Sequence, residues 1–219
     1  MFYCLKMIFQ KFFENFEMFF KVLNSTLRHN NFSYLLGLNI DSKLFNDKEC
    51  QNGLHFSSLE HLPLWLKYGD KLAFISIPVD SRVIHFKNKS KADKIFINEI
   101  INLEDWKMWE NEEFCMRAIE DYWWALEYIK NQTEEMCIKA VKKDGYVLKY
   151  VQNQTETVVL EGMKQNGIAL KYVRNQTEAI CLQAVKQNGM ALQHVINQTP
   201  EICLEAIKQN PEASKYVKV

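Results

Sequence analysis

From residue 109 onward, apolar positions recur on two scales at once. Within short segments they fall three and four residues apart, the spacing of a helix face. Between segments the whole pattern returns every 22 residues, marked by Asn-Gln-Thr at 131–133, 153–155, 175–177 and 197–199. The copy NQTETVVLEGMKQNGIALKYVR is followed in register by NQTEAICLQAVKQNGMALQHVI, and a more divergent copy precedes them from Trp109. Five copies result: 109–130, 131–152, 153–174, 175–196 and 197–219.

Each copy writes two helices. Thr133, Thr155, Thr177 and Thr199 are N-cap residues, followed by Glu or, in the last copy, by Pro200 at a position that tolerates proline. The first helix of the third copy buries Val158, Val159, Gly162 and Met163. Asn166-Gly167 ends it, with the glycine expected in a left-handed C′ conformation. A shorter helix then carries Ala169, Leu170 and Val173 inward. A 22-residue unit cannot bury its apolar face alone, so the pattern predicts an all-α solenoid of five two-helix repeats. Its ends are marked by Trp109, Trp123 and Trp124 in the first copy and by Glu212 and Ser214 in the last.

The pattern before residue 109 is different. Residues 19–23, 72–77, 82–86 and 94–98 read as strands from their β-branched and aromatic content. Residues 58–68 read as a helix, capped by Ser58, striped by Leu59, Leu62 and Leu66, and stopped by Gly69. Residues 19–108 are therefore expected to form an α+β head domain. Residues 1–18 form an amphipathic segment with Phe9, Phe12, Phe13 and Phe16 on one side. Its charges keep it well short of the ~20 apolar residues that span a bilayer, and with two acids among them a helix docked on its own protein is expected, not a membrane partner. No secretory signal pattern is present in the sequence.

Charge narrows the function classes. The 27 basic and 27 acidic residues cancel, which removes the electrostatic case for a nucleic-acid partner. Cys115, Cys137, Cys181 and Cys203 occupy one column of the repeat, inside an apolar face, so they read as buried thiols in a reducing compartment. No cysteine or histidine spacing calls for a metal. The lysine ladder Lys142, Lys164, Lys186 and Lys208 shares its surface with Glu134, Glu156 and Glu178 and reads as a solvated face.

The stretch Gly37–Phe96 resembles the N-terminal module of mimivirus-type giant-virus repeat proteins. The residues that carry this are Gly37–Asp41, Cys50, Gly53–Phe56 with His55 in place of a tyrosine, Tyr68-Gly69, Pro78–Asp80 and Lys91–Ile95. The 22-residue units resemble a second giant-virus repeat of unassigned function. The resemblance implies a viral protein of the infected host's cytoplasm, or of the virion, with an interaction role. Gly53–Ser58, followed by a helix ending in Tyr68, is also similar to a strand and helix of ADP-ribosyltransferases. That similarity would place His55 at the nicotinamide-stacking position and Glu99 as the sugar-cation carboxylate, with NAD as cofactor and His29 a guess for the first strand. A strand-turn-helix packing unit accounts for the same residues. A Cys50 nucleophile beside His55 or His61 lacks a visible orienting partner.

No motif fixes a reaction and no cofactor is called for outside the NAD reading. The expected function is protein binding, to a host or viral partner, along the repeats. Fold-building positions repeat from copy to copy, whereas the column Trp124, Tyr146, Ile168, Met190, Glu212 differs in all five. Interfaces enrich large amphipathic side chains. Tyr146, Tyr150, Ile168, Tyr172, Met190 and His194 are therefore the expected partner-binding ridge.

Overall fold

Strand formation in the first part of the chain follows its β-branched and aromatic runs. The computed structural model describes residues 18–29 and 32–218, and the chain separates after Trp106 into two compact units. Residues 1–17 of the expected N-terminal helix lie outside the described residues. Among the described residues, no helix is long and apolar enough to cross a membrane.

The first unit carries β1 (Phe19–Leu23), β2 (Arg28–His29), β3 (Phe32–Ser33), β4 (Gly37–Ile40), β5 (Leu54–Phe56), β6 (Lys71–Ser76), β7 (Val83–His85), β8 (Ser90–Ala92) and β9 (Lys94–Asn102). An antiparallel sheet runs in the order β1-β6-β9-β4, a second runs β5-β8-β7, and β2 and β3 form a hairpin. A bridge between Phe20 and Ser57 joins β1 to the end of β5. Leu23, Leu54, Phe56, Ala73, Ile75 and Ile95 meet in the core.

Among the described residues the unit is β-rich, and the helix expected over 58–68 is a 3₁₀ segment, Leu62–Tyr68. Pro63 in its first turn removes a donor. Ser58 caps nothing there; its hydroxyl bonds His61 Nδ1 at 3.1 Å.

Polar side chains tie the long loops of this unit to its strands. Asn39, 4 % exposed, donates to Leu35 O and Gly37 O and accepts from Leu35 N. Asp41 accepts from Gly53 N at 2.6 Å, and Gly53 holds φ +94°, a conformation suited to glycine. Lys91 is fully buried and donates to Lys48 O, Gln51 O and Asn46 Oδ1. Asp93 accepts from both the backbone and the guanidinium of Arg82.

The second unit alternates α-helices with 3₁₀ turns. The helices are α1 (Glu112–Asp121), α2 (Glu134–Lys143), α3 (Glu156–Gln165), α4 (Glu178–Gln187) and α5 (Pro200–Gln209). Each of Thr133, Thr155, Thr177 and Thr199 accepts from the amide three residues on, and Asn111 does so in the first copy. Pro200 stands at the start of α5, as its lack of an N–H allows. The second helix of each copy is a 3₁₀ turn, from Trp123–Glu127 to Pro211–Tyr216. Five or six residues close too few i→i+4 bonds for an α-helix.

The glycines differ from expectation. Gly145, Gly167 and Gly189 do not adopt the left-handed conformation; the preceding Asp144, Asn166 and Asn188 are extended and accept from the amide two residues on. Glycine is needed for a close approach instead. A Cβ on Gly167 would stand 2.2 Å from Ala184 O of the next copy, and one on Gly189 would stand 2.4 Å from Ala206 O. At the same contact Gly145 N, Gly167 N and Gly189 N donate to the Oε1 of Gln165, Gln187 and Gln209. The first copy has Trp123 in the glycine position, and Lys143 replaces the glutamine opposite it. Lys143 pairs with Glu120, as does Lys139, and the two ammoniums hold the Glu120 carboxyl down to about 2.

A second set of amides comes from the middle residue of Asn-Gln-Thr. Gln154 Nε2 donates to Leu148 O (3.0 Å) in the preceding 3₁₀ turn and to Tyr172 O (2.9 Å) in its own copy's turn. Its Oε1 accepts from Arg174 N at 3.0 Å. Gln132 and Gln198 make the same three bonds, and Gln176 makes those to His194 O and from Ile196 N. Thr155 and Thr199 donate back to Glu134 and Glu178 of the preceding copy. Cys115, Cys137 and Cys181 are buried, whereas Cys203, in the fifth copy, is half-buried, so the expected buried column loses one member.

Substitutions in the third copy rank these contacts. Gln154→Ala strips a partner from two carbonyls and one amide and should cost about 2–3 kcal/mol. Gly167→Ala should cost about 3 kcal/mol through the clash with Ala184 O, and Thr155→Ala about 1 kcal/mol. Urea denaturation of the three variants checks the order; a Thr155 effect larger than the other two would overturn it.

The thiols supply a second check. Burial pushes the Cys115 and Cys137 thiols up to about 11 and raises that of Cys181. Alkylation at pH 8 should modify exposed Cys50 first and Cys203 next, with Cys115, Cys137 and Cys181 reacting only in denaturant. Peptide mapping after timed quenching gives the order.

Candidate functional site

The 22-residue period places one residue of each 3₁₀ turn beside a residue 26 positions later, in the next turn. Trp124 thus meets Tyr150 edge-on, ring centroids 5.7 Å apart, and Tyr146 meets Tyr172 at 6.1 Å. A lysine lies over each pair. Lys149 Nζ is 4.6 Å from the Trp124 ring and 4.3 Å from that of Tyr150, and Lys171 Nζ is 5.1 Å and 4.8 Å from the rings of Tyr146 and Tyr172. A hydrogen bond with the Tyr150 hydroxyl raises the Lys149 pKa, keeping that ammonium charged.

Ile168 and Met190 take the Tyr146 position in the following copies, and His194 takes that of Tyr172. All six expected ridge residues are half-buried. Burial, with Lys171 nearby, lowers the His194 pKa. The structure therefore joins Tyr146 to Tyr172 and Tyr150 to Trp124, while Ile168, Met190 and His194 continue the same positions along the unit. Lys149 and Lys171 escaped the sequence reading, which assigned the lysines of the repeat to solvent. The signal was present in the 25-residue offset between Trp124 and Lys149, repeated between Tyr146 and Lys171.

The first unit contains a separate cleft. A cavity of about 190 Å³ is lined by Phe20, Lys21, His29, His55, Trp65 and Tyr68, with Cys50 and Lys89 also on its wall. A larger one of about 600 Å³ shares Lys21, His29, Cys50 and His55 with it and adds Tyr34 and Asp41. His55 and His29 are thus brought together, from β5 and β2. Glu99 is not: it is exposed on β9, paired with Phe74, and lines neither cavity. The carboxylate that the ADP-ribosyltransferase resemblance requires is absent from the cleft walls. His61 also stays outside, bonded to Ser58, and His55 Nε2 faces Glu49 O at 2.7 Å, which commits that nitrogen to donating. Among the described residues no group of three or more His, Cys, Asp or Glu is placed to hold a metal.

Lys21 was invisible to the sequence reading because it stands in a strand read as core. It is 5 % exposed; its Nζ donates to His55 O at 2.7 Å and lies 4.7 Å from the Tyr34 ring. Desolvation lowers its pKa to about 7. Burial also lowers His29 to about 4, helped by the charges of Lys21 and Lys89, and lowers His55.

Residues 111–155 and 177–218 match a family model described as "Domain of unknown function (DUF4116)". Two relatives come from Acanthamoeba polyphaga mimivirus, both named as ankyrin repeat proteins. R868 is 32% identical over 103 residues, 43% of this chain and 51% of its own. R896 is 40% identical over 65 residues, 28% of this chain and 20% of its own. The chain therefore spans about half the length of the first and a fifth of the second. No solved structure matches significantly. Part of this chain is thus related to giant-virus proteins named for their repeats.

Proposed function

We propose that residues 109–219 form a solenoid of five two-helix repeats and that this solenoid is a protein-interaction scaffold. Its partner, a host or viral protein, binds along the edge of Tyr146, Tyr150, Ile168, Tyr172, Met190 and His194, with Trp124, Lys149 and Lys171 completing the surface. The observation that carries this reading is the run of half-buried rings and lysines at equivalent positions of successive copies. Half-buried Tyr and Trp rings already held against a neighbouring ring lose little side-chain entropy on binding and contribute large contact area, the character of interface anchors. The relatives' names as ankyrin repeat proteins support an interaction role. Their viral origin supports action inside an infected cell, in the cytoplasm or the virion. Residues 19–108 form the head that accompanies the scaffold.

The test is affinity capture by the tagged full chain from lysate of mimivirus-infected amoebae. Tyr150→Ala combined with Tyr172→Ala, with the helical circular dichroism unchanged, should reduce specific capture by roughly tenfold or more. Undiminished capture by the double variant would remove the ridge as the binding surface.

A further inference from the structure

The cleft of the first unit holds a set of basic side chains that the scaffold reading leaves without a role. The smaller cavity is lined by Lys21, His29, His55 and Lys89 together with Phe20, Phe56, Trp65 and Tyr68, and among the described residues no carboxylate lines it. Lys21 is the telling member. An ammonium has three donors, and among the described residues Lys21 Nζ has one hydrogen-bond acceptor, His55 O, although the side chain is almost wholly enclosed. Lys89, at the mouth, has a loose ion pair with Glu49 at 3.6 Å, lies 3.5 Å from Cys50 Sγ and faces the Trp65 ring at 5.6 Å. Burying an amine without a carboxylate is costly. A fold that needed only packing at position 21 would be served by an apolar residue.

We propose that this cleft binds a nucleoside phosphate, with the phosphate held by Lys21 and Lys89 and the base against Trp65 and Tyr68. The chemistry has two halves. Phosphate oxygens would take the Lys21 donors that have no acceptor among the described residues, and charge-assisted bonds of this kind are the strong ones. A planar ring would lie on the aromatic wall, where Tyr68 is 51 % exposed and its ring already stands parallel to that of His29, 12° apart with centroids at 6.4 Å. The hydrogen bonds of Lys91 and Asp41 fix the loop carrying Cys50 and the start of β5, so the walls exist before a ligand arrives.

Among the described residues, the titratable groups that line the two cavities with Lys21 are His29 from β2, Tyr34 beyond β3, Asp41 and Lys43 after β4, Cys50, His55 from β5, Tyr68 and Lys89 ahead of β8. Asp41 is the sole carboxylate among them, and it is engaged by Gly53 N. A bound dianion would pull the depressed Lys21 pKa upward, so binding near pH 8 should take up protons from buffer.

Isothermal titration of the full chain at pH 8, in two buffers of different ionisation enthalpy, tests this with AMP, ADP, adenosine and inorganic phosphate as separate probes. AMP or ADP should bind below about 1 mM with net proton uptake, while adenosine and phosphate alone bind at least roughly tenfold more weakly. Lys21→Met, which replaces the ammonium with an apolar chain of similar length, should weaken binding by roughly tenfold or more and abolish the proton uptake. Tyr68→Ala alters only the half-exposed mouth and should weaken AMP binding by a similar factor while keeping the uptake; it decides the matter should Lys21→Met fail to fold. No binding by either nucleotide, phosphate binding as tightly as AMP, or nucleotide affinity untouched in Tyr68→Ala would each overturn the proposal.

Discussion

The helical unit depends on a primary amide placed where it can bond backbone on two sides. Gln132, Gln154, Gln176 and Gln198 each reach from a turn into the peptide groups of 3₁₀ segments, and Gln165, Gln187 and Gln209 accept from the amides that open those segments. A 3₁₀ turn of six residues leaves carbonyls and amides unpaired at both ends. Buried, those groups would offset much of what the apolar columns contribute. An amide has two donors and an acceptor with two lone pairs, so one side chain satisfies three peptide groups at once. Apolar packing supplies the cohesion; the amides decide at which spacing it is collected.

The first unit solves the same problem with different residues. Its strands are short and its loops long, so much of its backbone lies outside any sheet ladder. Asn39, Asp41, Lys91 and Asp93 fill that gap from side chains. These lie within the segments Gly37–Asp41 and Lys91–Ile95 that stood out in the sequence. Those segments mark the supports of a cleft wall, while the cleft's own chemistry comes from residues with no recognisable spacing.

Legibility followed from periodicity. The helices, their threonine caps and the columns Val158, Val159 and Met163 could be read because a 22-residue repeat shows each position several times over. The expected edge was drawn from the same periodicity, although Lys149 and Lys171 were not connected to the rings they cover. Residues that occur once carry no such cross-check. Ser58 looked like a cap and bonds His61 instead, and Pro63 turned an expected α-helix into a 3₁₀ segment. Glycine after asparagine suggested a left-handed turn, yet the position is set by a carbonyl one copy away, a long-range contact that local sequence does not display. Lys21 escaped because a lysine in an apolar strand gives no sign of which side it faces.

The glycine-to-carbonyl contact has a further consequence for how the chain finds its register. Interior copies present the same glycine, the same glutamine and the same apolar columns, so a copy could in principle dock on the wrong neighbour, or on a neighbour from another molecule, with its local contacts intact. The first junction is different. Trp123 stands where the others have glycine, and Lys143 with Glu120 stands where they have an amide and a peptide N–H. A tryptophan cannot enter a gap where even a Cβ would lie within 2.2–2.7 Å of a carbonyl. That single mismatched joint gives an otherwise translationally uniform stack an origin, and counting from it leaves every later copy one place to go.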